Sequence, residues 1–184
     1  MENRAHGESK EKRLARFQNN PPVEVIETLL NSIDNFFNNE IRLTPENAQT
    51  SLLFLGIHAV ALTISEAFFN KTGPEGYKLF LERFVDGDSV DTKFSAIAGL
   101  IHDWRNVLAH QWLGSVGHEI GYDYKMEFGW QEKDGTTFIN PKIYCDHYLK
   151  AFLSGGKIRD YDKIFTDPEL QAIKDRIIQK YLES

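Results

Sequence analysis

An arginine, an asparagine and a histidine stand together at Arg105-Asn106-Val107-Leu108-Ala109-His110, in the form R-N-x-x-x-H. These side chains suit metal-free attack of a ribose 2′-hydroxyl on the adjacent phosphate. A base must take the hydroxyl proton, and imidazole titrates near neutrality. Charge then builds on the non-bridging phosphate oxygens, and a guanidinium offers a fork of N–H donors that matches them. Asn106 can orient His110 or bind a phosphate oxygen, and Asp103 can hold the imidazole tautomer. The candidate catalytic set is therefore Arg105, Asn106, His110 and Asp103, with no cofactor and no metal.

The hexad lies late in a helix expected over about residues 91–113, capped by Ser89 or Asp91. At about 100° per residue, Ile97, Ile101, Trp104, Leu108 and Trp112 form one narrow stripe that faces the core. Asn106 and His110 lie almost opposite that stripe, with Asp103 beside them. Arg105 leaves from the flank, and its long side chain must reach around. The polar trio is thus placed to meet solvent, a ligand or a second copy of the chain.

The rest of the chain must hold this helix. At 184 residues, 41% hydrophobic and 26% charged, it can bury a core without covalent staples. One cysteine, Cys145, excludes an internal disulfide and fits a reducing compartment. The net charge of −6 argues against a non-specific duplex binder but leaves room for a small basic cleft. Residues 1–20 read as a flexible polar leader, with room for a frayed helix, in which Lys10, Lys12, Arg13 and Arg16 are mixed with Glu8 and Glu11. Residues 21–184 read as one helical domain. The polar N-terminus predicts no secretory signal. The apolar run over residues 52–64 is too short to span a bilayer, so a buried helix and a cytoplasmic, membrane-free protein are expected.

Helical spacing predicts a first helix from Pro21-Pro22 to about Asn39 and a second, capped by Thr44 with Pro45 in its first turn, to about Asn70. Gly73-Pro74 starts a short helix, and residues 86–89 form a loop. The pattern then changes to period two at Tyr122, Tyr124, Met126, Phe128 and Trp130, which predicts a half-buried strand. Lys133-Asp134-Gly135 is a turn and residues 136–139 the returning strand of a hairpin. Asn140-Pro141 caps a helix ending near Gly155-Gly156, and Asp167-Pro168-Glu169 opens the last one. The fold class expected is mainly all-α: an up-and-down bundle with a β-hairpin inserted around residues 120–139.

Other constellations are weaker. His102, His110 and His118-Glu119 recur at spacings of eight, without the closer pairing of a metal site. Ser154-Gly155-Gly156-Lys157 lacks the residues of a phosphate loop and reads as a helix end. His58, inside the apolar helix, is expected to be a hydrogen-bonded core histidine. Glu66 leaves two readings open, a paired buried carboxylate or an interface residue. Aromatics at period two suit a core face better than a base-stacking platform.

The hexad resembles the signature of the HEPN superfamily, an arginine, a polar residue and a histidine in an R-x(4–6)-H frame. The flanking Leu100-Ile101-His102-Asp103-Trp104 and Gln111-Trp112, and the helical layout over about residues 22–154, are similar as well. The resemblance implies a HEPN-like all-α fold and a metal-independent endoribonuclease of toxin–antitoxin, phage-defence or RNA-processing type. It implies Arg105 and His110 as catalytic, with Asn106 as the polar second position. It also implies a homodimer in which two motifs share one cleft, single-stranded RNA as substrate, and an antitoxin or nucleotidyltransferase as partner. The hairpin and the acidic balance depart from that pattern. Some members are silent interaction modules, which is the alternative.

Overall fold

The computed structural model describes residues 9–47, 49–111 and 120–183, with the side chains of residues 110, 111 and 181–183 outside that description. The chain is mainly helical, and its arrangement follows from one helix, α3 (Thr50–Phe69), which buries eleven of its twenty residues. An all-round apolar helix must be enclosed by others. The covering elements are α2 (Pro22–Phe36), α4 (Gly73–Phe80), α5 (Ala98–Gln111), α6 (Pro141–Phe152) and α8 (Asp167–Glu183), with α1 (Lys10–Asn19) and the short α7 (Tyr161–Ile164) outside them. Phe54 of α3 stacks on Tyr144 of α6 at 4.9 Å and meets Trp104 of α5 edge-on at 5.2 Å. Such pairs add specific geometry to apolar burial.

α3 is longer than the apolar run that announced it. Among the described residues it is the one helix long and apolar enough to cross a membrane, yet 56% of its most apolar window is buried in the bundle. That burial suits the core helix of a soluble protein.

Its start differs from the expectation. Thr44 does not cap it; the Thr44 hydroxyl donates to the Ile41 carbonyl at 2.7 Å, and residues 42–47 form turns. The cause is the preceding helix, which continues past Phe36 as a wide π-helical turn, Phe37–Ile41, to bury Phe37 and Ile41. Within the leader, residues 10–19 form a complete helix, α1, capped by Ser9, which buries Phe17. Residues 1–8 of the expected leader lie outside the described residues.

The long helix expected over 91–113 is broken. Val90–Thr92 and Phe94–Ile97 are 3-10 turns, and α5 begins only at Ala98. Asp86 explains the break, because its carboxylate accepts both the backbone N–H and the hydroxyl of Ser95. Ser89 bonds Thr92 in the first 3-10 turn instead of capping α5. Trp112, at the end of the expected stripe, lies outside the described residues, as do His118 and Glu119.

The alternating segment is corrected most. A three-stranded sheet of order β1-β3-β2 replaces a lone hairpin: β1 (Ile120–Tyr122) runs parallel to β3 (Thr136–Ile139), and β2 (Trp130–Lys133) antiparallel to it. Asp134 and Gly135, both at positive φ, join β2 to β3. Residues 123–129 are turns and bends, not strand. The Asp123 carboxylate accepts the Lys125 N–H at 2.8 Å and bends the chain. Asn140 then pins this loop: its amide donates to the Met126 carbonyl at 2.6 Å, and its backbone N–H donates to Gly129 at 2.9 Å. The Asn140 side-chain oxygen, Oδ1, meanwhile caps α6 by accepting the N–H groups of Lys142 and Ile143.

α8 closes the bundle by satisfying the carbonyl ends of other helices. Lys174 Nζ donates to Gln18 and Asn20 at the end of α1, both at 2.8 Å. Arg176 donates to Ala67 at 2.7 Å and Phe68 at 3.2 Å, at the end of α3. Helix C-termini carry partial negative charge and orphan carbonyls, which cations answer. Replacing Lys174, which is only 8% exposed, by Met should leave two carbonyls without that partner and cost about 2 kcal/mol. Urea unfolding checks the magnitude, and amide exchange should show residues 10–19 losing protection first.

Candidate functional site

The helix that carries the hexad is fixed by its apolar stripe. Ile97, Ile101, Trp104 and Leu108 are buried, as the spacing predicts. Asp103 is exposed, and Arg105 and Asn106 are half-buried. His110 lies in the last turn of α5, with its side chain outside the described residues.

Two of the four candidate residues are brought together. The Arg105 Nη1 donates to the Asn106 Oδ1 at 3.0 Å. Sequential neighbours on a helix do not share a face, so this contact draws the long arginine side chain toward Asn106. Arg105 Nε is itself buried, with no hydrogen-bond partner among the described residues.

What it lies beside is a pair of histidines. His58 of α3 is fully buried, and its Nε2 lies 2.9 Å from Nδ1 of His102 on α5. One imidazole donates to the other, which requires the acceptor nitrogen to be unprotonated. His58 also packs against the Tyr77 ring at 4.4 Å. Burial lowers the His58 pKa to about 3, with smaller contributions from the Arg105 cation and from His102. His102 is lowered too, first by burial; Asp103 opposes that shift and Arg105 adds to it. Arg105 therefore acts electrostatically on both rings.

His102 was absent from the candidate set. It was visible in the sequence as part of the eight-residue histidine spacing and in the apolar flank of the hexad, without a role of its own. His102, Asn106 and His110 follow one another at i, i+4 and i+8, so they form a single row that drifts slowly around α5. The row runs from the buried His102 through the half-buried Asn106 toward the end of the helix. Arg105, three residues from His102, flanks the row. The covered face of α5 is thus wider than the apolar stripe, because α3 and α4 both pack against it.

The histidine pair continues into a buried polar cluster. The hydroxyls of Tyr77, Tyr144 and Tyr148 bond one another. Burial pushes the Tyr77 phenol up to about 12 and those of Tyr144 and Tyr148 well above the usual value. These groups stay protonated and serve as neutral donors and acceptors in the core. Glu66 is paired with Lys180 and half-exposed. No group of three or more His, Cys, Asp or Glu side chains among the described residues is placed to hold a metal.

No protein-family model, curated protein or solved structure matches this chain.

The buried histidine has a consequence for stability. In the unfolded chain His58 titrates near ~6.5, whereas in the fold it stays neutral down to about pH 3. At neutral pH the shift costs nothing. As pH falls through the unfolded value, the unfolded chain takes up a proton that the folded chain refuses, and stability drops by about 1 kcal/mol per pH unit. The urea midpoint should therefore fall between pH 7.5 and pH 5. His58→Gln should unfold at lower urea at pH 7.5 yet lose less on acidification. An equal pH slope in the variant would show that His58 is not the group responsible.

Proposed function

We propose that this chain is a metal-independent endoribonuclease of HEPN-like type, working as a homodimer through α5 on single-stranded RNA. The observation that carries the reading is the Arg105–Asn106 pair, half-buried at 3.0 Å and one helical turn before His110. A guanidinium tethered by an amide holds less rotamer freedom than a loose one, so it binds a phosphate at lower entropic cost.

In this mechanism His110 removes the proton of the ribose 2′-hydroxyl. The 2′-oxygen attacks phosphorus, and the bond to the 5′-oxygen of the next nucleotide breaks. The leaving 5′-oxygen takes a proton from an imidazolium. Arg105 donates to the non-bridging oxygens as their charge grows. Asn106 positions Arg105. Asp103, exposed beside the row, tunes the local field without touching the reacting atoms. A cytoplasmic setting with an antitoxin or other defence partner fits this reading.

The alternative is a silent interaction module of the same type. It is favoured by the inward part of Arg105, whose buried Nε and effect on His58 and His102 give that residue a structural role.

One experiment separates the two. Purified wild type, His110→Ala and Arg105→Ala are incubated with single-stranded RNA in excess chelator. Wild type should leave 2′,3′-cyclic phosphate ends, and each variant should be slower by about 100-fold or more. RNA left intact by wild type across varied sequences would rule out the enzyme and leave the module.

A further inference from the structure

The row of polar residues on α5 begins one turn before the hexad, at His102, and that ring is tied to the core. His58 is fully buried and His102 is 9% exposed. Their ring nitrogens meet at 2.9 Å, with the ring planes tilted by 48°. Tyr77 of α4 packs beside both, its ring centre 4.4 Å from that of His58 and 6.4 Å from that of His102. The pair therefore sits where α3, α4 and α5 join.

An apolar stripe and a hydrogen bond fix a helix differently. Ile101, Trp104 and Leu108 hold α5 against the core, but apolar attraction has no direction and tolerates small turns of the helix about its own axis. A hydrogen bond weakens steeply as it bends, so the bond to His58 supplies a direction that the stripe lacks. A turn of about 20° on a helix about 5–6 Å in radius carries its surface about 2 Å. A misplacement of about 1 Å can slow a reacting site about 100-fold. Arg105 follows His102 by three residues, so the two are neighbours on the helix surface and turn together. Its guanidinium is already placed: Nη1 donates to Asn106, and Nε is buried without a hydrogen-bond partner among the described residues. A buried donor left without a partner is costly. A flexible side chain does not choose such a place; the set of its helix imposes it.

We propose that His102, held by His58, is a positioning residue for Arg105: their bond sets the turn of α5 at which the guanidinium keeps Nε inside and presents its terminal nitrogens beside Asn106, where phosphate would bind. This rests on the reading of Arg105 as the phosphate-binding group. Neither histidine touches the RNA; both act through the helix.

The bond can be removed without orphaning a buried group. His58→Leu with His102→Leu replaces both rings by hydrocarbon, which a core tolerates better than one unpaired partner. His102→Asn is the rescue, because its amide stands at the position of Nδ1 and can donate or accept. On single-stranded RNA the leucine pair should lower kcat at least about tenfold with little change in KM, and His102→Asn should stay close to wild type. Placed on Arg105→Ala, the leucine pair should cost nothing further, since the group it positions is gone. His102→Gln, whose amide reaches the Nε2 position instead, should behave like the leucine pair and replaces it if that variant does not fold. A second readout needs no activity. In nitrogen–proton correlation spectra the Arg105 Nε–H should exchange slowly with solvent in wild type and His102→Asn, and rapidly in the leucine pair or His102→Gln. Slow exchange in those variants would overturn the proposal. So would an unchanged kcat, a failure of His102→Asn to rescue, or an equal loss on the Arg105→Ala background, which marks general damage. If wild type cuts no RNA, the ribonuclease reading fails by itself, and the Nε–H exchange still decides whether the histidine pair places the guanidinium.

Discussion

A helix that is apolar on every side can persist in water only if other elements enclose it, and α3 sets that condition for the whole chain. Enclosure alone would leave its neighbours free to slide and turn. The polar groups on α3 remove that freedom. His58 bonds His102 on α5, Ser65 donates to the Gly76 carbonyl at the start of α4, and Thr50 bonds Tyr124 in the loop before β2. Each buried polar group left without a partner costs about 1–3 kcal/mol, so each bond fixes the register of one covering element. The close approach of α4 depends on a missing side chain. A Cβ at Gly76 would sit 2.6 Å from the Lys71 carbonyl oxygen and 2.9 Å from Ser65 Oγ.

The register of α5 follows from this and decides what its polar residues can do. By its apolar stripe alone, α5 would present His102 away from the stripe. The bond to His58 instead covers that side of the helix and draws Arg105 into partial burial. Arg105 then faces two environments, the histidine pair on one side and Asn106 on the other. Burial, with a smaller push from the Arg105 cation, disfavours the charged form of both imidazoles, and an unprotonated nitrogen is what allows one ring to accept from the other. A proton added to either ring would meet the Arg105 cation as a like charge. This couples the surface end of the polar row to the core through charge, without any moving part.

Much of this was legible in the sequence where a local rule governs alone. The stripe of Ile97, Ile101, Trp104 and Leu108, the Asn140 cap and the Asp167-Pro168 start are each fixed by a few neighbouring residues. The misreadings arise where a distant residue outcompetes the local signal. Thr44 looks like a cap, but the burial of Phe37 and Ile41 extends the helix before it. Residues 122–131 alternate like a strand, but Asn140, more than ten residues on, holds residues 123–129 as a loop. Lys10 to Arg16 look like a solvated tail, but Lys174 anchors the end of α1. At the site, Arg105 and Asn106 were readable as types and positions. His58 was foreseen as a bonded core histidine, but not its partner, because nothing in local spacing links residues 58 and 102.

Charge placement bears on how an acidic chain can meet any anion at all. Several of its cations are committed internally: Lys174 and Arg176 to helix ends, Arg159 to Glu27, Asn31 and Phe152, and Lys157 to the Asp86 carbonyl. These groups order the bundle, and their charges are already counted in the net charge of −6, which makes the long-range field repulsive to phosphates. Attraction must therefore be short-range, within about 10 Å at ordinary salt, and must come from cations packed closely enough to outweigh the whole. Two copies of α5 facing one another would achieve this by symmetry, because a two-fold axis doubles Arg105 at one place without altering the sequence.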